Sequence, residues 1–466
     1  MVSTNLDRLF LACQYSGIIF QKSDAPILNP DKAEEGRPIL RIGFPMRSEA
    51  VMVKFEEAER VELEEQIIMK QPTFFEILKT SLYVGAVGYG GPAILALMKK
   101  VIVHEKGWIS DEEFMSALSL AQILPGATGV TLLGYIGQKL KGGWGGILMP
   151  FAFFFPAMSA ITVLAWAYFT YGDLKFVHSI FMGLGAMVVA LLVNATMMMG
   201  KSIFQGMEGN AFKGIVIAAL SFLGIRYLHW NVVYIILISG ALGGLFFHLR
   251  GAPGQEKAPE CPGAAVDVPE ASGWHNLLPP AALAVLLAVV FWLVDGTWTI
   301  FATFFKIGSF AFGGGFTAIP IIQHVVVDGM HWLDLTAFRD GIALGQITPG
   351  PVFITATFIG YKVQGIIGAV IATIGIFTPS LAAMMLLSRV HAKIQNLKIV
   401  KAVIRGFLSG FIGLLLFVVL QFGVQSLVNW QTWAVFAVSI VYLLGWKKDV
   451  VWLILGTIGV SLLIIP

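Results

Sequence analysis

The chain has 466 residues and a net charge of +3; 57% of its residues are hydrophobic and 13% are charged. About a quarter of the residues of an average soluble domain are charged, so this composition excludes a soluble globular protein and indicates an integral membrane protein. The two cysteines, Cys13 and Cys261, fall outside the apolar segments. Their position excludes a disulfide framework and a thiol redox centre inside the membrane.

Residues 1–73 form the first predicted region, an aqueous N-terminal extension on the cytoplasmic side. The turn-forming dipeptide Asn29-Pro30 interrupts its middle, and a glutamate-rich stretch with helical spacing follows at 54–70. No residue pattern in this extension points to catalysis or ligand binding.

The rest of the chain is predicted to be all α-helical and polytopic, with about thirteen transmembrane spans. A helix needs about 20 apolar residues to cross the hydrocarbon core, and apolar segments of roughly this length recur to the end of the chain. The predicted spans are 74–98, 115–138, 144–169, 176–199, 212–227, 231–249, 277–294, 299–322, 338–361, 366–388, 400–425, 431–446 and 449–465. They group into a first repeat at 74–250, a flexible loop at 251–276, a linking helix at 277–294 and a second repeat at 295–466.

The charges of the connecting loops predict that the N-terminus lies inside the cell. Lysine and arginine cluster in cytoplasmic loops, and the thirteen-span arrangement puts fourteen of them in inner loops against six in outer loops. In this arrangement Arg339 and Arg405 lie on the inner side, whereas Lys99, Lys100 and Lys106 lie on the outer side. The loop charges therefore predict a multi-pass membrane protein with a cytoplasmic N-terminus.

Two motifs rich in glycine and proline occur twice inside apolar segments. Residues 310–316 read Phe-Ala-Phe-Gly-Gly-Gly-Phe, and residues 346–351 read Gln-Ile-Thr-Pro-Gly-Pro. About 223 positions earlier, residues 87–92 read Val-Gly-Tyr-Gly-Gly-Pro and residues 122–127 read Gln-Ile-Leu-Pro-Gly-Ala. An unmatched span at 277–294 separates the copies, so we expect the second half to enter the membrane from the opposite face. The sequence therefore predicts two inverted-topology repeats with broken helices, as many secondary transporters have.

Helix breaks of this kind supply the chemistry that an anion needs. A helix interrupted at glycine or proline leaves backbone N–H groups without partners inside the helix, and the N-terminus of a half-helix carries about half a positive charge. Close helix packing through small residues is the alternative explanation for the glycines. Four matched interruptions in two halves favour a substrate or gating role.

Polar residues near the breaks extend the predicted binding site. Lys306 precedes the glycine run and is the first choice for an anion contact, with snorkelling to the outer interface as the alternative. Arg405 is the second choice, with a positive residue at the inner surface as the alternative. Gln122 and Gln346 precede the proline breaks by three residues, and their amides can donate to an oxyanion or bond the broken turn. The predicted substrate-binding residues are Gly90, Gly91, Gln122, Pro125, Gly126, Lys306, Gly313, Gly314, Gly315, Gln346, Pro349, Gly350 and Arg405.

His324, Asp328 and His331 form the one local cluster that resembles a metal or proton site. Their spacing would align them on a helix, but Gly329 and Trp332 indicate the end of a loop. A proton-linked role is a hypothesis that the pH dependence of transport would test. We expect no bound metal and no cofactor.

One combination of motifs extends over both halves of the chain. Its first copy consists of Gly-Tyr-Gly-Gly-Pro at 88–92 with Trp108, Phe114, Gln122, Pro125 and Gly126. Its second copy consists of Phe-Gly-Gly-Gly at 312–315 with Trp332, Phe338, Gln346, Pro349, Gly350 and Pro351. The combination resembles the chromate ion transporter family in its long, two-domain form, over about residues 74–466. Tyr89 and Ala127 depart from the family pattern, in which phenylalanine and a second proline are usual.

The resemblance implies a carrier of the cytoplasmic membrane that exports chromate and confers chromate resistance, with sulfate as a related tetrahedral oxyanion. The sequence lacks a glycine run of the phosphate-binding type followed by Lys-Ser or Lys-Thr. We therefore expect a secondary transporter driven by an ion gradient or the membrane potential, and no enzyme. Uptake or exchange of sulfate or another inorganic anion, an anion channel and a membrane-bound oxyanion reductase are the alternatives. The expected partners are the oxyanion and the lipid bilayer, and no nucleic acid is expected. The sequence does not decide whether the protein forms a homodimer.

Overall fold

A computed structural model describes residues 72–172, 174–205, 207, 211–248, 278–387, 398–445 and 450–465. Nearly all of the N-terminal extension and the whole loop at 251–276 lie outside the described residues. Within the described residues the chain is helical, as predicted, and forms no β-strand.

Seven helices form the first half of the described chain. Three of them have side-chain N-caps. The side-chain oxygens of Thr73, Ser110 and Asn231 accept from the backbone N–H groups two or three residues further on. The helices are α1 (Phe74–Val87), α2 (Gly91–Lys99), α3 (Asp111–Ile123), α4 (Thr128–Tyr171), α5 (Lys175–Gln205), α6 (Ala211–Tyr227) and α7 (Val232–His248). A π-helical turn, Lys100–Glu105, extends α2.

Eight helices follow in the second half of the described chain. They are α8 (Leu278–Leu293), α9 (Thr297–Phe310), α10 (Ala318–Gln323), α11 (Leu335–Ile347), α12 (Thr355–Leu387), α13 (Lys398–Ser426), α14 (Trp430–Gly445) and α15 (Val450–Ile464). Short 3₁₀ turns, Gly315–Thr317 and Val352–Ile354, precede α10 and α12. A π-helical turn, His324–Gly329, follows α10 at the position that matches the turn after α2.

Helix α4 is a pair of antiparallel arms. The backbone leaves helical geometry at Gly142, which has φ +61° and ψ −151°, a conformation that glycine adopts without strain. Gly137 then packs directly on the backbone of Gly145, which a straight helix would hold about 12 Å away. We call residues 128–140 the first arm of α4 and residues 143–171 its second arm.

Helix α12 repeats this bend in the second half. Its backbone turns at Gly365, with φ +56° and ψ −144°, and Gly360 packs on the backbone of Gly368. Residues 355–363 are therefore its first arm and residues 366–387 its second arm.

The first arm of α4 folds back on α3. Glu113, in the first turn of α3, accepts a hydrogen bond of 3.0 Å from the hydroxyl group of Tyr135 and pairs with the ammonium group of Lys139. Because both partners lie near the end of the first arm, the two helices run antiparallel. We call this unit hairpin 2, and its tip is residues 124–127.

Helix α11 and the first arm of α12 form the matching unit, hairpin 4. Gly345 faces Thr355 and Gly341 faces the ring of Phe358. Residues earlier in α11 thus contact residues later in α12, so the two helices are antiparallel. The tip of hairpin 4 is residues 348–351.

Helix α1 and α2, with the π turn, form hairpin 1, and its tip is residues 88–90. The Nζ atom of Lys141 lies 5.7 Å from the ring centroid of Phe74, at the start of α1. The Nζ atom of Lys99 lies 2.7 Å from Oδ1 of Asp111, at the start of α3. Both ends of hairpin 1 therefore lie beside the base of hairpin 2.

Helix α9 and residues 315–329 form hairpin 3, and its tip is residues 311–314. The side-chain amide of Gln364, at the bend of α12, donates a hydrogen bond of 2.8 Å to the carbonyl oxygen of Asp295, just before α9. The start of hairpin 3 therefore lies at the base of hairpin 4.

The second arm of α4 runs between the two pairs of hairpin bases. It begins at the bend beside Phe74 and ends near hairpin 4, where the Nζ atom of Lys362 lies 4.8 Å from the ring centroid of Phe169. We call the end of the molecule with the bases of hairpins 1 and 2 face 1, and the end with the bases of hairpins 3 and 4 face 2.

The predicted helix breaks are confirmed, but the segments around them do not cross the molecule. The predicted spans at 74–98, 115–138, 299–322 and 338–361 are each two arms that return to the face from which they start. Four of the described helices, α4, α5, α12 and α13, are long and apolar enough to cross a membrane, and α7, α8, α14 and α15 are shorter apolar helices. The count of thirteen spans is not confirmed.

Candidate functional site

The four hairpin tips meet through two backbone hydrogen bonds. The N–H of Gly126 in hairpin 2 donates to the carbonyl oxygen of Ala311 in hairpin 3, at 2.7 Å. The N–H of Gly350 in hairpin 4 donates to the carbonyl oxygen of Gly88 in hairpin 1, at 2.9 Å. In the repeat Gly126 matches Gly350, and Gly88 matches Ala311. Each half therefore supplies one donor and one acceptor to the contact, as the two sides of a contact about a two-fold axis do.

Glycine is required at both donor positions. Gly126 has φ +106° and Gly350 has φ +120°, where a side chain is strained. A methyl group at Gly126 would lie 2.5 Å from Cβ of Ser380, and one at Gly350 would lie 2.8 Å from Cβ of Ala157. Each tip therefore approaches a helix of the other half at a distance that only glycine permits.

The glycine run at the tip of hairpin 3 presents unused donors. Gly313 and Gly314 have φ +85° and +110°, and within the described chain the N–H groups of Gly313, Gly314 and Gly315 have no acceptor. Gly313 also packs on the side chain of Leu408. Close packing and free donors, which the sequence offered as alternatives, occur together in this run.

The matched run in hairpin 1 has a similar conformation. Gly90 has φ +71°, is the N-cap of α2, and would leave a methyl group in open space; Gly91 begins the helix. Four helical segments have their N-termini at the tips: α2, the first arm of α4, α10 and the first arm of α12. Four partially positive helix ends therefore start in one region.

A cavity of about 430 Å³ lies between two of these tips. It brings together Gln122 of hairpin 2 and Gly313 of hairpin 3, which are both predicted site residues. Thr128 and Ser202 add hydroxyl groups, and the other lining residues are Met198, Met199, Ile203 and Leu408. The cavity lies towards face 1, since α5 ends and α13 begins at that face. Amide, hydroxyl and backbone N–H donors around one cavity can bind an anion without a full positive charge.

Other predicted residues lie near this cavity or at the remaining tips. Arg405 is half-buried and precedes Leu408 by one helical turn. Gln346 has a buried Nε2 atom with no hydrogen-bond partner in the described chain, and Pro125 is half-buried at its tip. Pro349 lines a different, largely apolar cavity of about 490 Å³ against the second arm of α4.

Lys306 is the predicted residue that the structure does not bring to the others. Its helix, α9, buries Ile307 and Gly308, whereas Lys306 is exposed. No described contact joins it to Gly313. The predicted anion contact at this residue has no geometric support.

Arg339 and Asp340 form a buried ion pair that sequence reasoning missed. They are 6% and 3% exposed, and Nε and Nη2 of Arg339 donate to Oδ1 of Asp340 at 3.0 and 2.8 Å. Nη1 donates to Ser426 of α13 at 3.0 Å, and the hydroxyl group of Tyr168 donates to Oδ2 of Asp340 at 3.0 Å. The guanidinium also packs on Gly185 of α5.

The predicted inner-loop position of Arg339 is therefore wrong, because the residue lies inside α11 near face 2. The informative signal in the sequence was an arginine followed directly by an aspartate at the edge of an apolar segment, since buried charges are normally paired.

Amide side chains continue this polar network along α13. Gln421 pairs with Gln323 of α10, and the side-chain amide of Gln425 donates to the hydroxyl group of Thr336 at 2.6 Å. These bonds tie α13 to both hairpins of the second half.

The structure does not bring the three residues of the histidine cluster together. Nδ1 of His324 lies 3.6 Å from Oδ2 of Asp328, while His331 is exposed in the loop that follows. Within the described residues no group of three or more metal-ligating side chains is present.

Comparison with known proteins agrees with the resemblance seen in the sequence. A family model described as chromate transporter matches residues 75–244 and 298–462. An uncharacterized transporter of Methanocaldococcus jannaschii is 33% identical over 81% of this chain and 90% of its own length. Chromate transport proteins of Cupriavidus metallidurans and Pseudomonas aeruginosa are 29% and 31% identical, over 81% and 78% of this chain and 89% and 85% of their own lengths. No solved structure matches the chain.

The matched regions contain all four hairpins and both cavities described above, together with the long apolar helices of an integral membrane protein. The chain belongs to the chromate transporter family.

Proposed function

We propose that the protein is a secondary transporter that exports chromate, a tetrahedral dianion, through a site between the hairpin tips. The observation that carries this proposal is the pair of reciprocal hydrogen bonds, Gly126 to Ala311 and Gly350 to Gly88. They gather four helix breaks and their donors in one region, as the broken helices of carriers do at their substrate sites. The names of the relatives from Cupriavidus and Pseudomonas supply the substrate.

The cavity with Gln122 and Gly313 is the proposed anion site. Its donors are the Gln122 amide, the hydroxyl groups of Thr128 and Ser202, and the N–H groups at 313–315. These groups hold an anion by hydrogen bonds that are already oriented before it binds. Arg405 lies one turn from the lining and adds positive charge at the mouth of the cavity.

The transmembrane arrangement that we propose has nine crossings and four re-entrant hairpins. The crossings are the second arms of α4 and α12 together with α5, α6, α7, α8, α13, α14 and α15. The hairpins enter from face 1 in the first half and from face 2 in the second, because α8 adds an odd crossing between them. Irregular backbone at membrane depth is tolerated where protein or a cavity surrounds it, and two inverted repeats follow from this arrangement.

The distribution of charge supports face 1 as the cytoplasmic side. The positive residues near the ends of the described helices are far more numerous there. On face 1 they are Lys99, Lys100, Lys106, Lys139, Lys141, Lys201, Lys213, Lys398, Lys401 and Arg405; on face 2 they are Lys175, Arg226, Arg339 and Lys362. Lys99, Lys100 and Lys106 move to the inner side relative to the thirteen-span arrangement. The N-terminus then lies in the cytoplasm and the protein in the inner membrane.

Sulfate is the second candidate substrate, for uptake or exchange. The proposed donors are N–H and hydroxyl groups around a small anion, and such donors recognise tetrahedral shape and charge rather than the central atom. Chromate and sulfate share both properties.

Reconstituted vesicles test the proposal. The purified protein would be placed in liposomes loaded with unlabelled chromate, and the entry of labelled chromate would be followed without ATP, with empty liposomes as the control. We expect saturable exchange that sulfate competes for. Flux that stays linear with concentration would indicate a channel, and no flux with either dianion would refute the substrate class.

A further inference from the structure

The polar network around Arg339, near face 2, includes residues at positions that match part of the lining of the anion cavity near face 1. In the sequence repeat, α13 of the second half corresponds to α5 of the first half, with an offset of 223 residues that aligns Gly406 with Gly183. Under this match Ser426 corresponds to Ile203, and Gly185 corresponds to Leu408. Ile203 and Leu408 line the cavity, whereas Ser426 and Gly185 enclose the guanidinium of Arg339.

The amides of α13 extend the correspondence. Met198 and Ser202, which line the cavity, match Gln421 and Gln425. The two glutamines are bonded to hairpins 3 and 4. Four of the eight positions that line the cavity therefore have counterparts in a filled, hydrogen-bonded network on the other side of the tips.

We propose that the network of Arg339, Asp340, Tyr168 and Ser426 is the closed gate of the transport path on face 2. The structure is then the state that is open towards face 1. This inference rests on the proposed carrier function, since alternating access requires one closed side at a time. It assigns a gating role to residues that do not touch the anion cavity.

The connections of the network suit a gate that must open. It joins three elements: Tyr168 belongs to the second arm of α4, Ser426 belongs to α13, and the ion pair belongs to α11. A path on face 2 opens only if these elements separate.

The ion pair itself need not break during that movement. Arg339 and Asp340 are neighbours on one helix and bond each other twice. Separation of α13 and the second arm of α4 from α11 breaks the bonds to Tyr168 and Ser426 and the bond between Gln425 and Thr336, and water can replace each of them. Breaking the buried pair itself would leave an isolated charge at a large cost. The gate can therefore open and close without exposing an uncompensated buried charge.

Cysteine accessibility distinguishes a gate from a static anchor. Cys13 and Cys261 would be replaced by serine, and a single cysteine would be introduced by Met198→Cys or by Gln421→Cys, which are matched positions on the two sides of the tips. The rate of labelling by a hydrophilic maleimide would be measured in the purified protein. We expect Met198→Cys to react at least about tenfold faster than Gln421→Cys.

The gate would then be weakened without touching the ion pair. Tyr168→Phe with Ser426→Ala removes two hydrogen bonds to charged groups, which is enough to shift the balance between the states by about tenfold or more. We expect labelling of Gln421→Cys to rise and labelling of Met198→Cys to fall. The matched control is Glu113→Gln with Lys139→Met, which removes an ion pair inside hairpin 2 and leaves both rates unchanged.

A second variant tests the gate if Tyr168→Phe with Ser426→Ala fails to fold. Arg339→Met with Asp340→Ser installs the residues found at the matched positions of the first half, Met115 and Ser116, and the same change in both rates is expected. Protection of Gln421→Cys in every variant that remains monodisperse would overturn the gate. The labelling needs no substrate, so a chain that switches accessibility but moves no chromate would refute the proposed substrate and leave the gate intact.

Discussion

The backbone N–H of Gly350 lies 2.9 Å from the carbonyl oxygen of Gly88 and joins the tip of hairpin 4 to the tip of hairpin 1. Its counterpart joins Gly126 to Ala311 at 2.7 Å. A displacement of either half at the tips must therefore displace the other. The tips are both the proposed anion site and the mechanical contact between the halves.

Alanine at the two donor glycines should disturb this contact. Gly126→Ala and Gly350→Ala each add a methyl group at positive φ that meets a neighbouring side chain at 2.5 and 2.8 Å. We expect each to lower the free energy of unfolding by about 1–3 kcal/mol and to abolish transport. Gly107→Ala is the control, because Gly107 also has positive φ but faces open space in a loop. Thermal unfolding and chromate exchange would be measured; equal loss of activity in all three would contradict the role of the contact.

The amide of Gln122 should contribute to anion affinity. Gln122→Ala removes one hydrogen bond to a charged ligand, worth about 1.5–3 kcal/mol, so we expect KM for chromate exchange to rise by about tenfold or more. Gln364→Ala is the matched control, since that amide bonds a carbonyl group at the base of hairpin 4. An unchanged KM for Gln122→Ala would remove this residue from the site.

Lys306 and Arg405 should differ in their effect on transport. Lys306→Met should leave KM unchanged, because the residue is exposed and makes no described contact with Gly313. Arg405→Gln should raise KM, most strongly at low salt, where the charge near the cavity attracts the dianion over a longer range. A rise in KM for Lys306→Met would restore the contact that the sequence predicts.

The stability of hairpin 2 should depend on the half-buried ion pair at its base. Lys139→Met alone leaves the carboxylate of Glu113 without its ammonium partner, and we expect a loss of about 1–3 kcal/mol in unfolding free energy, between the values for exposed and for buried pairs. Glu113→Gln together with Lys139→Met should recover most of this loss. Denaturant titrations of the three proteins would measure the difference, and equal stability of the single and double variants would contradict the pairing.

The sequence predicts the breaks because glycine and proline inside apolar segments conflict with a continuous helix. The runs at 310–316 and 346–351 and their earlier copies all lie at tips. The direction of the chain after each break could not be predicted. Two helical arms of about 13 residues have the same total length whether the second arm continues across the membrane or folds back on the first. Only contacts between the arms, such as that of Glu113 with Lys139, distinguish a crossing from a hairpin.

The positions of the predicted site residues could be foreseen in part, for a related reason, while their role in binding stays a prediction. Gln122 and Gly313 share a cavity because they flank matched breaks. Lys306 was chosen by its distance along the chain, but helix rotation turns it away from the packed face of α9. Arg339 resembled a loop residue, because its ion pair with Asp340 is completed by bonds from Tyr168 to Asp340 and from Arg339 to Ser426, and both of these residues are distant in sequence.

Equilibrium binding of labelled chromate to the purified protein tests the central claim, that the anion binds at the hairpin tips. The variants to compare are Gly314→Ala, at the tip of hairpin 3, and Gly365→Ala, at the bend of α12. Both glycines have positive φ, and an added methyl group would enter open space at both. We expect Gly314→Ala to weaken binding by about tenfold or more while Gly365→Ala binds as the wild type does. Equal affinity of all three proteins would contradict an anion site at the tips.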